Sequence, residues 1–170
     1  MMSLVPTNYE RAFAPHPTAF QAWGQLNAAI KNEMDRRRYE LATLAAAMAL
    51  KSSYCSLAHG RVLAEQFGER VTEIAHDRTS AGLSAADIAV MDLAEKVTLD
   101  ATSVTAADRE RLIDLGLSQD EVGLVVLAAA ARCFFSKSLD GLGAEPDPSY
   151  HDLDPDLRDA LVVGRAIQQR

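Results

Sequence analysis

Residues 35–68 read DRRRYELATLAAAMALKSSYCSLAHGRVLAEQFG. Asp35 is a residue type that accepts hydrogen bonds from the free N–H groups at a helix start. Behind it Leu41, Leu44, Ala45 and Met48 return every three or four residues, the period of one helix face. Lys51-Ser52-Ser53 is polar and small and breaks that pattern. Ser52 or Ser53 can cap a second helix running to Phe67, with Gly68 as its C-terminal stop. The spacing therefore predicts a helix from Asp35 through Leu50, a break, and a helix to Phe67.

The same signals continue in both directions. From Thr18, the positions Phe20, Trp23, Leu26 and Ile30 form one apolar stripe of an amphipathic helix, while residues 1–17, with Pro6, Pro15 and Pro17, read as an extended lead-in. Downstream, a helix is expected from about Glu69 to Arg78, closed by a turn over Ser80–Gly82. Ser84 to Asp87 resembles a capping box and opens a helix to about Leu99. Thr105 caps a short helix ending near Gly116, and Ser118-Gln119-Asp120-Glu121 opens one through Leu139, ended by Gly141 and Gly143. Residues 144–156 carry Pro146, Pro148 and Pro155 among acids and read as an exposed connector, followed by a short helix over about 155–168. No segment of useful length has a strand period. The expectation is a single all-α domain, residues 1–170, of about six to eight helices. Ala45 to Ala47 and Ala128 to Ala131 supply small side chains for close helix packing.

Composition narrows the function. The chain is 48% hydrophobic and 24% charged, ordinary for a globular protein, and its net charge of −7 disfavours a nucleic-acid partner. The basic run Arg36 to Arg38 is flanked by acids and reads as a solvated helix face. MMSLVPTNYERAF shows no basic segment leading into an apolar one, so no signal peptide is expected. The apolar stretches Leu41–Leu50 and Val122–Ala131 are each about half a membrane span. A cytoplasmic protein without a membrane partner is the simplest expectation. In that reducing compartment Cys55 and Cys133 are not expected to form a structural disulfide.

Cys55 lies about one turn inside its helix, where free N–H groups and the helix dipole favour a thiolate. His59 follows four residues later on the same face, close enough to exchange a proton with it. Glu40 opens the apolar run of the preceding helix, where solubility does not require a carboxylate; the alternative is an exposed edge beside Arg36 and Arg37. Tyr54 could offer a hydroxyl or simply pack. His16, His76 and His151 stand in loop-like or polar contexts, and no spacing suggests a metal or cofactor site. Cys133 follows Arg132 in a strongly apolar helix, which favours a buried packing role.

Glu40, then Ser52-Ser53-Tyr54-Cys55, then His59 resembles the alkylhydroperoxidase AhpD / carboxymuconolactone decarboxylase family, and the likeness runs from about Phe20 to the Phe134–Asp140 segment. The redox members of that family carry a Glu, a CxxC pair and a His four residues beyond the second Cys. The resemblance implies an all-helical fold, a homo-oligomer and, in redox members, peroxide reduction by cysteine. Cys55 would inherit the attacking role and His59 with Glu40 the proton relay. Ser52 replaces the first Cys and cannot close a disulfide, so an external thiol or Cys133 would have to complete the cycle. Three readings follow: a peroxidase acting on hydrogen peroxide or organic hydroperoxides; a non-redox acid/base enzyme on a lactone-type substrate, using Glu40, His59, Tyr54 and Ser52; or a catalytically silent oligomeric module.

Overall fold

The computed structural model describes residues 5–170; residues 1–4 of the expected lead-in, where the signal-peptide reading begins, lie outside them. Among the described residues the chain forms nine α-helices and no strand. They are α1 (Asn8–Phe13), α2 (Pro17–Glu33), α3 (Arg36–Ala49), α4 (Ser53–Phe67), α5 (Val71–Asp77), α6 (Ala85–Asp100), α7 (Ala106–Asp114), α8 (Gln119–Gly141) and α9 (Pro155–Leu161). Short 3-10 turns cover Ala101–Ser103 and Pro148–Asp152. The all-α expectation holds with one helix more than its upper count.

The caps explain the boundaries. Side chains of Asp35, Ser84, Thr105 and Ser118 each accept a hydrogen bond from a backbone N–H three residues on. Gly68 ends α4 in the left-handed conformation, φ 66°. Ser52 occupies the N-cap position of α4, but its side chain makes no capping bond. The additional helix, α1, starts inside the supposed lead-in, where Thr7 and Glu10 form a reciprocal capping box.

α3 is the centre of the bundle. It packs against α4, α6 and α8, and every residue from Tyr39 through Ala47 is buried. The expected one-sided helix is therefore enclosed on all sides, which its alanines permit by letting neighbours approach closely. Nor is the Arg36 to Arg38 run simply a solvated face. Arg37 Nη1 bonds Asp87 Oδ2 at 2.8 Å and Arg38 Nε reaches Asp87 Oδ1 at 3.3 Å, fastening the start of α3 to the start of α6. On α2, Trp23 and Ile30 are buried as the stripe requires, but Leu26 is exposed. α8 is long and apolar enough to cross a membrane by length and composition; 44% of its most apolar window is buried in the protein, against α2, α3 and α6.

The segment expected to be an exposed connector is instead structural. Ala144 and Pro146 are buried, and α9 ends at Leu161 rather than continuing to 168. The tail beyond α9 lies along the α3–α4 junction: Gly164 N–H donates to Ser53 Oγ at 2.8 Å, and Gln168 N–H donates to the Pro146 carbonyl. Lys51 at this junction has φ 55°, uncommon for a side chain-bearing residue. A Cβ on Gly164 would stand 1.9 Å from the Lys51 carbonyl oxygen, so only glycine fits that contact. Gly164→Ala should lower stability by about 1–3 kcal/mol through this overlap. Gly123→Ala, in α8 with open space around its Cβ, should instead be neutral or stabilise by up to about 1 kcal/mol. Urea denaturation of the two variants checks the contrast; equal effects would contradict the assigned strap.

Candidate active site

α3 and α4 pack side by side, and this brings Glu40 and His59 together. Glu40 is 1% exposed, and its Oε2 lies 2.6 Å from His59 Nδ1. Its Oε1 accepts from Lys31 Nζ, on α2, at 3.0 Å. Glu40 is thus no edge residue. Burial works to raise its pKa, but the hydrogen bonds from His59 and Lys31 and the Lys31 charge outweigh burial and hold it below the ordinary carboxylate value. An ionised carboxylate only accepts hydrogen bonds, so His59 must carry its proton on Nδ1 and leave Nε2 with a free lone pair.

His59 itself is pushed the other way. Burial, then the nearby positive charge of Arg132, lower its pKa to about 4, against the pull of Glu40. At neutral pH it is a neutral imidazole and therefore a base. Cys55, one turn earlier on the same helix, is 2% exposed. Arg132 Nη1, reaching in from α8, stands 3.7 Å from its sulfur.

Sequence reasoning misses Arg132, because nothing around it announces a site: it sits mid-helix in an apolar run. It is 4% exposed. Its Nη2 donates to Tyr39 Oη at 3.2 Å, and Tyr39 Oη donates to Asn27 Oδ1 at 2.5 Å. The guanidinium lies 5.5 Å from the centres of both the Trp23 and Phe135 rings. Cys55, His59, Arg132 and Lys31 line one cavity of roughly 440 Å³, whose other walls are aromatic, including Phe20, Trp23 and Tyr150.

Tyr54, Ser52 and Cys133 complete the placement of the residues singled out in the sequence. The Tyr54 ring lines the cavity, but its hydroxyl donates to Asp147 and accepts from Tyr9 N–H. Burial and the Asp147 hydrogen bond push its pKa upward, so it is a held phenol rather than a free acid. Ser52 is fully buried, and its Oγ has no hydrogen-bond partner among the described residues. Cys133 is partly exposed rather than buried, and the cavity lining does not include it. Asp147 and Tyr150 come from the Pro-rich segment, whose irregular sequence gives no hint of a structural role. Among the described residues no cluster of His, Cys, Asp or Glu is arranged to hold a metal ion.

The depressed His59 pKa has a stability consequence. The unfolded chain takes up a proton near pH 6.5 that the folded one refuses until about pH 4. Stability is therefore full above about pH 6.5 and falls as the pH drops through that window, by roughly 2–4 kcal/mol for this group. Glu40, also lowered, adds a loss in the same direction at still lower pH. His59→Gln should flatten the denaturation free energy between about pH 7 and 4; an unchanged slope would contradict the burial of a neutral His59.

Comparison with known proteins bears on the fold. Residues 17–99, which hold Glu40, Ser52, Cys55 and His59, match the carboxymuconolactone decarboxylase family. No protein of curated function matches the chain. Among solved structures, the chain is similar to the alkylhydroperoxidase AhpD core of an uncharacterized peroxidase-related protein from Ralstonia eutropha JMP134, with TM-score 0.78 and 21% identity over 84% of this chain and 78% of that one. It is also similar to an uncharacterized peroxidase-related protein from Silicibacter sp. TM1040, with TM-score 0.75 and 19% identity over 82% and 76% of the two chains. At such identities the likeness establishes the fold. The protein thus has an AhpD-like helical fold, and its segment 17–99 is similar to the carboxymuconolactone decarboxylase family.

Proposed function

We propose that the cavity is the reaction site of a one-cysteine peroxidase that reduces hydrogen peroxide or an organic hydroperoxide. The observation that carries this reading is the joint opening of Cys55 and His59 into one cavity, with Glu40 fixing the His59 tautomer from behind. His59 Nε2 takes the thiol proton, and the Cys55 sulfur attacks one peroxide oxygen. The O–O bond breaks, its electrons leave with the other oxygen, and the imidazolium returns the proton to it as an alcohol or water. Cys55 is left as sulfenic acid. Two equivalents of an external thiol then restore it, giving a disulfide of that thiol and water. Ser52 cannot resolve the sulfenic acid and Cys133 is not in the cavity, so the reductant must come from outside the chain.

A second reading draws on the same absence of a resolving thiol. A neutral His59 lining a cavity that Arg132 also lines suits acid/base chemistry on a lactone-type substrate, with no role for the Cys55 sulfur. Dimedone trapping after substoichiometric peroxide separates the two. The peroxidase reading expects a mass adduct on Cys55, with peroxide consumption by dithiothreitol slowed about 100-fold or more in His59→Ala. It expects a smaller loss in Glu40→Gln. No adduct on Cys55 in folded protein would transfer the site to acid/base chemistry.

Ser52→Cys removes a buried hydroxyl that lacks a partner and supplies a thiol three residues before Cys55. On oxidation the introduced thiol should form a disulfide with Cys55, seen by peptide mapping, and the variant should turn over faster with dithiothreitol than the natural chain. Failure of a folded variant to form this link would contradict the proposed resolving position. Exposed Leu26, Leu127 and Phe134 on α2 and α8 support self-association into a homo-oligomer. Light scattering should give a multiple of 18.4 kDa; a monomer at all micromolar concentrations would contradict it.

A further inference from the structure

The charges around the cavity do not balance. Lys31 is matched by Glu40, and His59 is neutral at neutral pH. Arg132 is 4% exposed, yet no Asp or Glu among the described residues pairs with it; its contacts are a tyrosine hydroxyl, a cysteine sulfur and two aromatic faces. Its Nε is buried with no hydrogen-bond partner among the described residues. A buried guanidinium without a counter-ion is strongly disfavoured unless an anion completes the site. Tyr39, held by Asn27, and the Trp23 and Phe135 rings fix the plane of the group, so it is positioned before any ligand arrives.

We propose that this cavity binds an organic carboxylate, with the carboxylate seated on the Arg132 guanidinium and an apolar or aromatic body against the Trp23 and Tyr150 walls. Guanidinium is the side-chain group whose donors best match a carboxylate. The aromatic lining excludes a bare inorganic anion as the preferred occupant, since it leaves most of the wall without a partner. Taking the cavity as the reaction site, which rests on the function proposed above, the substrate is a carboxylate-bearing molecule. Because Arg132 Nη1 is 3.7 Å from the Cys55 sulfur, the reacting atom stands only a few bonds from the carboxylate. Arg132 is then a specificity-determining residue.

Binding can be measured without any reaction. Trp23 is the only tryptophan and lies against Arg132, so its emission reports occupancy. The probes are phenylpropionate and its neutral isostere phenylpropanamide, titrated into the full-length protein and followed by calorimetry and by Trp23 fluorescence. The carboxylate should bind about tenfold or more tightly than the amide and perturb Trp23 emission. Arg132→Lys should reduce that preference several-fold, and Arg132→Met should abolish it. If the Met variant does not fold, the natural chain and the Lys variant decide the matter. Cys55→Ser should retain the preference in full, whether or not Cys55 proves reactive toward peroxide. Equal affinity for acid and amide in the natural protein would overturn the proposal. So would a preference that arises only in Cys55→Ser, since the cysteine sulfur would then be the anion that Arg132 serves.

Discussion

The hydrogen bond from His59 Nδ1 to Glu40 joins α3 to α4 inside the protein, and Lys31 on α2 holds the other carboxylate oxygen. A carboxylate this deeply buried loses several kcal/mol of hydration, and only well-placed partners offset that loss. The three helices must therefore meet in one arrangement for Glu40 to remain charged. That constraint then acts on the chemistry. A charged Glu40 dictates where the His59 proton sits, burial keeps the imidazole neutral, and the bare Nε2 is left as the basic atom of a residue that lines the same cavity as Cys55.

Around this pair the structure builds a preorganised polar floor and an apolar surround. Arg132 is locked by Tyr39 and by two aromatic rings, and Tyr54 is locked by Asp147. The Pro-rich segment supplies Asp147 and Tyr150, and the C-terminal strap anchors the α3–α4 junction through the Gly164 bond to Ser53. Positioning by packed, hydrogen-bonded neighbours is what gives a small helical bundle a defined site. Ser52 is the exception. Its hydroxyl is buried without a hydrogen-bond partner among the described residues.

Most helices are legible in the sequence because their signals are local. Asp35, Ser84, Thr105 and Ser118 are caps that any chain context would read the same way. The Cys55–His59 spacing is legible for the same reason, since both residues lie on one helix. α1 carries its own signal, Thr7 with Glu10, but the neighbouring prolines mask it. Arg132, Lys31, Asp147 and Tyr150 are not legible. They reach the site from segments far apart in the chain, and a contact made only by tertiary packing leaves no mark on sequence spacing. The full burial of α3 is hidden likewise, because alanines read equally well as a surface or a close-packed interior.

The tautomer of His59 is the point on which the site chemistry rests, and nitrogen NMR of the imidazole ring observes it directly. In uniformly labelled protein at neutral pH, His59 should be neutral, with its proton on Nδ1 coupled across the hydrogen bond to Glu40 and Nε2 at the shift of a bare imidazole nitrogen. A ring protonated on Nε2, or a doubly protonated imidazolium at neutral pH, would contradict it.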